Sequence, residues 1–163
     1  MNRMRFSLTL VPLKNRYIYA VGGGIIRNYA CELFIDLEVI DFWKAEPRWE
    51  LIKLMRSDIS NRCQIASFPF SRDEVLLFGG IGYEDDIFRD SYVLDLRKHE
   101  IRRISDKSLN QPERFFFNQN AQSGNTYYAL GRENVHIFDV KENKWDIVPG
   151  KGYKASLMQD LDV

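Results

Sequence analysis

Cysteine is scarce in this chain of 163 residues: Cys31 and Cys63 are the only two. Two thiols are too few for the stapled framework of a small secreted domain or for a four-cysteine zinc site. Free thiols in a reducing compartment are therefore expected, which places the chain in the cytoplasm. Histidine is equally rare. His99 falls in an Arg-Lys-His-Glu turn and His136 in a separate strand, so no shared metal site is expected. Neither sign of charge is in excess, with 23 Lys and Arg against 23 Asp and Glu. That balance argues against a bulk-basic nucleic-acid binder. No apolar run approaches the roughly 18 residues of a membrane span. The longest uncharged stretch, 115–131, is filled with Asn, Gln and Ser, so no membrane partner is expected. The basic Met1–Arg5 start is followed only by the short run Phe6–Leu13 without a small-residue cleavage site, and no signal peptide is read.

What the chain does contain is apolar material, 45% hydrophobic and 13% aromatic, enough for the core of one domain-sized chain. It also contains a repeat. The segments Tyr17–Gly23, Val75–Gly80 and Tyr127–Arg132 are short aromatic and aliphatic runs stopped by glycine, and each predicts a buried strand that ends in a turn. An arginine stands 17 residues before the first glycine of each: Arg5 before Gly22, Arg62 before Gly79 and Arg114 before Gly131. Pro12 and Pro69 share an offset of 7 residues after their arginines, expected in a connection that tolerates a missing N–H donor. Downstream come Val39-Ile-Asp41 with Trp49, Val93-Leu-Asp95 with Ile101, and Ile137-Phe-Asp139 with Trp145. Each predicts a strand, an Asp that accepts from turn amides two residues on, and a further strand opened by a large apolar residue. From that residue to the next arginine the count is 13 in both intervals. The unit is four strands, repeated three times.

Arginine, paired glycines, aspartate and late tryptophan at these spacings resemble the Kelch motif, in three degenerate copies. Arg132 stands for the second glycine of the third copy and Ile101 for one tryptophan. The resemblance implies an all-β fold, a partial β-propeller of three four-stranded blades: 1–53, 54–105 and 106–149, with 150–163 a tail or the start of a further blade. Trp49 and Trp145 are expected to pack between adjacent sheets. Family rings close at about six blades, and closure removes sheet edges. Three blades leave two end faces, so further blades in the same or another chain, or a homodimer, are expected as partners.

Gly22-Gly23-Gly24 is not a phosphate loop, because no Gly-Lys-Ser/Thr follows. Glu84-Asp85-Asp86 with Asp90 lacks the alternating oxygens and closing Glu of a calcium loop. No catalytic residue, metal ligand or cofactor is assigned. Two loops carry aromatics and arginine, the residue types that anchor interfaces. Arg27, Asn28 and Tyr29 lie on the first; Tyr83, Glu84, Asp85, Asp86, Phe88 and Arg89 lie on the second. They are the candidate partner-binding residues. The resemblance implies a non-catalytic protein-interaction scaffold that binds a protein partner through these loops. Its alternatives are the recognition part of a ubiquitin-ligase adaptor and a propeller enzyme, an oxidase or sugar-modifying one.

Overall fold

The computed structural model describes residues 5–27, 30–83, 86–104, 120–130 and 134–149. The chain divides into two compact units, Met1–Asp106 and Lys107–Val163. The first holds two sheets. β1 (Thr9–Leu13), β2 (Tyr17–Arg27), β3 (Ala30–Asp41) and β4 (Trp49–Ile52) form an antiparallel sheet in sequence order. The second sheet contains β5 (Arg56–Ser57), β6 (Ala66–Pro69), β7 (Glu74–Phe78), β8 (Ser91–Asp95) and β9 (Glu100–Arg103), in the order β5-β9-β8-β7-β6. In the second unit β10 (Asn120–Ser123), β11 (Thr126–Leu130), β12 (Asn134–Asp139) and β13 (Lys144–Pro149) form an antiparallel meander. The fold is all-β.

Two expectations need correction. The repeat predicts twelve strands, whereas the described residues form thirteen because β5 pairs in parallel with β9. The chain leaving β4 has to pass β9 to reach β6, and it hydrogen-bonds along the way, Met55 N–H to the His99 carbonyl at 2.8 Å and Asp58 N–H to that of Ile101 at 3.0 Å. The prolines lie inside strands, not between them. Pro12 pairs with Ile18 in β1 and Pro69 with Val75 in β6, both in edge strands where an absent N–H costs no ladder bond.

Alternation in β1 decides the packing. Thr9, Val11 and Leu13 are buried while Leu10 and Pro12 are exposed. The buried set joins Val21 and Leu37 and packs on Val75, Leu77, Tyr92, Leu94 and Ile101 of the second sheet, forming one core. In the second unit Tyr127, Ala129, Phe138 and Trp145 are buried, and the Phe138 and Trp145 rings meet at 4.9 Å.

The spaced arginines organise the first two sheets in the same way. Arg62 is buried; its Nη1 donates to the Gly79 carbonyl at 3.0 Å and to Asp90 at 2.5 Å, with Nη2 donating to Ser60 Oγ at 2.8 Å. Arg5 donates to the Gly22 carbonyl at 3.2 Å and pairs with Asp36 and Glu38. Each guanidinium also lies against a ring, Phe34 for Arg5 at 5.6 Å and Phe88 for Arg62 at 3.6 Å. The next residue closes a two-way bridge, Phe6 with Gly24 and Cys63 with Ile81. The glycine pairs share one conformation, φ 63° and 102° at Gly22 and Gly23, 65° and 100° at Gly79 and Gly80. A Cβ on Gly80 would lie 2.9 Å from the Cys63 carbonyl oxygen, so both the backbone sign and the space require glycine. Arg114, Gly131 and Arg132 lie outside the described residues.

Removing one partner of a buried ion pair strands the other charge. Arg62→Met is therefore expected to lower the unfolding free energy by about 3–5 kcal/mol in urea titration. A loss below about 1 kcal/mol would contradict a clamp. Burial alone would raise the Asp90 carboxyl, but hydrogen bonds from Arg62 and Tyr92 outweigh it and hold it below its ordinary value. The pair's contribution is thus complete above the unfolded aspartate value of about 3.9 and is lost as pH falls through the lower folded value.

Candidate functional site

The strand order sorts the connections of the first unit to opposite ends of its sheets. The β2–β3 hairpin and the β7–β8 loop are at one end; the β1–β2, β3–β4, β6–β7 and β8–β9 turns are at the other.

At the loop end Tyr83 ties the second candidate loop to β3, the strand that follows the first. Its hydroxyl accepts from the Leu33 N–H at 2.9 Å and donates to the Leu33 carbonyl at 3.4 Å, while 49% of the residue stays exposed. Asp86 is exposed and closes the turn, its carbonyl accepting from Gly82 N–H at 2.8 Å and its N–H donating to the Tyr83 carbonyl at 3.1 Å. Arg27 is exposed, 4.0 Å from Glu32, and Arg89 is exposed. Phe88 differs from the expected free anchor: it is half-buried because its ring covers the Arg62 guanidinium. Asn28, Tyr29, Glu84 and Asp85 lie outside the described residues. Ile26 and Ile87, which the sequence reading passed over, add exposed apolar surface here.

The opposite end carries a second group, also missed. In the β3–β4 turn Phe42 is 52% and Trp43 72% exposed. Arg16 Nε and Nη2 donate to the two Asp41 carboxylate oxygens at 2.8 and 2.6 Å, and its guanidinium lies 4.7 Å from the Tyr17 ring centroid and 5.0 Å from that of Trp43. This fork holds the Asp41 carboxyl down at about 2, with the Trp43 N–H helping. Tyr17 meets Tyr19 at 6.1 Å, and both line a cleft of about 430 Å³ together with Leu13, Lys14, Val39, Arg72, Asp73, Leu96 and Arg97. Asp73 pairs with Lys14 and, at 2.5 Å, with Arg97; the Lys14 hydrogen bond leads in lowering its carboxyl. Arg72 is exposed and forms no ion pair among the described residues. Burial raises the Tyr19 hydroxyl, so it remains a neutral donor at ordinary pH. Aromatics in a turn directly after the repeat's aspartate, Asp41-Phe-Trp43, were the available signal, since a turn has no core in which to bury them.

His99 lies in the β8–β9 turn and His136, in β12, is buried. Among the described residues no three His, Cys, Asp or Glu side chains are grouped to hold a metal ion. No helix there is long and apolar enough to cross a membrane.

No family model and no curated protein matches the chain. Solved structures do match in fold. One of them, titled "Structure of YjhT", superposes with a TM-score of 0.67 at 12% identity, over 92% of this chain and 54% of that one. This chain therefore spans about half the length of that structure.

The Arg16 fork makes a measurable claim. By carboxyl NMR, Asp41 should titrate near pH 2, and Arg16→Gln should move its midpoint toward the ordinary value of about 3.9. A midpoint that the substitution leaves in place would contradict the pairing.

Proposed function

We propose that this chain is a non-catalytic protein-interaction module made of consecutive Kelch-type propeller blades, completed by further blades and presenting its loops to a protein partner. The observation that carries this reading is one face of the first sheet. Across it run two rows, Leu10–Ala20–Glu38–Leu51 and Pro12–Ile18–Ile40–Trp49. In the first row Ala20 and the Arg5-paired Glu38 are buried, but Leu10 and Leu51 at its ends are 53% and 60% exposed, and Ile18, Ile40 and Trp49 of the second row are only half-buried. The repeat aligns the second row with Pro69–Val75–Leu94–Ile101 of the second sheet. There Val75, Leu94 and Ile101 are buried in the core shared with the first sheet. By this equivalence the partly open face of the first sheet is where a covering sheet of the same kind belongs, supplied by another part of the protein or by another chain. The match to about half of a longer chain agrees with that reading.

Light scattering tests the completion. The chain is expected to self-associate or to bind the remaining blades, and a Leu10→Glu/Leu51→Lys double variant to stay monomeric; a wild-type chain that is monodisperse at high concentration would contradict it. Partner binding has its own test. Once a partner is in hand, Arg27→Glu and Arg89→Glu should weaken its capture at least about tenfold, as charge reversal at a contact does. Arg132→Glu should have less effect, because eight residues separate Gly131 from Asp139 where 19 separate Gly22 from Asp41. Equal loss in both sets would remove the loop assignment.

A further inference from the structure

We propose that the cleft between the β1–β2 turn and the β6–β7 and β8–β9 turns, with the adjoining Trp43–Arg16–Tyr17 strip, binds an acidic peptide segment that carries an aromatic residue. The inference rests on the interaction-module reading and gives it a second binding end, opposite the candidate loops.

Charge is the first argument. Lys14, Arg16, Arg72 and Arg97 surround the cleft and strip against two carboxylates, Asp41 and Asp73, leaving two positive charges in excess. The excess is local, because the whole chain is neutral. Asp41 takes both oxygens' worth of Arg16, so that pair is closed. Asp73 is shared by Lys14 and Arg97, which are 40% and 72% exposed at their side chains and keep unused donors. Arg72 has no carboxylate among the described residues. Three cations thus offer N–H groups to an incoming carboxylate, and the guanidinium forks suit it in a bidentate manner.

Shape is the second. The cleft, at about 430 Å³, admits one or two side chains, and tyrosine rings form its wall. From it the strip continues through Tyr17 and Arg16 to Trp43, each in ring contact with the next. Trp43 is held by Arg16 and is still 72% exposed, so an aromatic side chain has a fixed ring to stack on. An elongated track of this kind fits an extended chain better than a compact ion. Two excess charges match a segment with two or three carboxylates and fall short of what a nucleic acid or an anionic membrane requires.

The test is fluorescence anisotropy on the whole chain, with a labelled, C-terminally amidated Glu-Glu-Tyr-Asp peptide compared with Lys-Lys-Tyr-Lys. The acidic peptide is expected to bind at least about tenfold more tightly and to weaken with added salt. Arg72→Glu/Arg97→Glu should weaken it about tenfold or more, and Trp43→Ala several-fold, while Arg56→Glu on β5 leaves it unchanged. These positions are exposed, and unfolding curves matching the wild type show that any loss is one of binding. Three results overturn the proposal: equal binding of both peptides, displacement of the acidic peptide by inorganic phosphate at the peptide's own concentration, or self-association that the Arg72/Arg97 variant abolishes, which would make a second copy the occupant. None of these touches partner capture at the loop end, so the two readings fail separately.

Discussion

A buried guanidinium aimed at a glycine carbonyl sets the geometry of both sheets in the first unit. Arg62 reaches the Gly79 carbonyl and the Asp90 carboxylate at once, and Arg5 does the same with Gly22 and Asp36. Such a charge is costly to bury alone and tolerable when its donors are filled in a planar fork. The carbonyl is turned toward the arginine because Gly22 and Gly79 take up positive φ, a conformation that a side chain would strain. Arginine and glycine therefore belong to one device: the glycine pair bends the strand, and the arginine holds the bent backbone against the segment that leads into the edge strand.

That device explains what is rigid and what is presented. It places Phe88 over Arg62, so one side of the β7–β8 loop is tied to the core while Tyr83, Asp86 and Arg89 face outward. Tyr83 then bridges to Leu33 and links the loop to the neighbouring sheet. At the other end of the first unit the described residues hold no arginine on a glycine carbonyl; two of the turns there are held by aspartates that accept their own turn amides, Asp95 from Arg97 and Lys98, and Asp41 from Trp43. The neighbouring β1–β2 and β6–β7 turns are closed by backbone bonds, and the Lys14, Arg72 and Arg97 side chains project from these short turns around Asp73, which Lys14 and Arg97 share.

Much of this was legible in the sequence because the repeat is a geometric constraint written as spacing. The 17-residue interval is the contour between a guanidinium and the carbonyl it meets, so it survives where composition varies. The glycine pairs and turn aspartates were legible for the same reason, but the expected strand end holds only for β7: in the first copy Gly22 to Gly24 lie inside β2, which passes them with a bulge and runs on to Arg27. Other features were not. β5 has two residues and no periodicity, and it pairs only because the chain passes β9. Pro12 and Pro69 look like breaks when read locally, and only sheet order shows that their strands lie at an edge. Phe88 has the sequence signature of an exposed anchor, but its neighbour in space is an arginine 26 positions earlier. The aromatic and cationic cleft joins residues from turns around positions 14, 43, 73 and 97, a proximity that no local pattern encodes.

The clamp is tested most directly by double-mutant cycles on its two copies, Arg62→Met with Asp90→Asn and Arg5→Met with Asp36→Asn, read by equilibrium unfolding. The account predicts that each pair is coupled by more than about 1 kcal/mol, with the Arg5–Asp36 coupling the smaller because Glu38 remains on Arg5 when Asp36 is removed. Additive losses in either cycle would mean that the arginine is merely buried near its carboxylate, and the repeat would then need another physical cause.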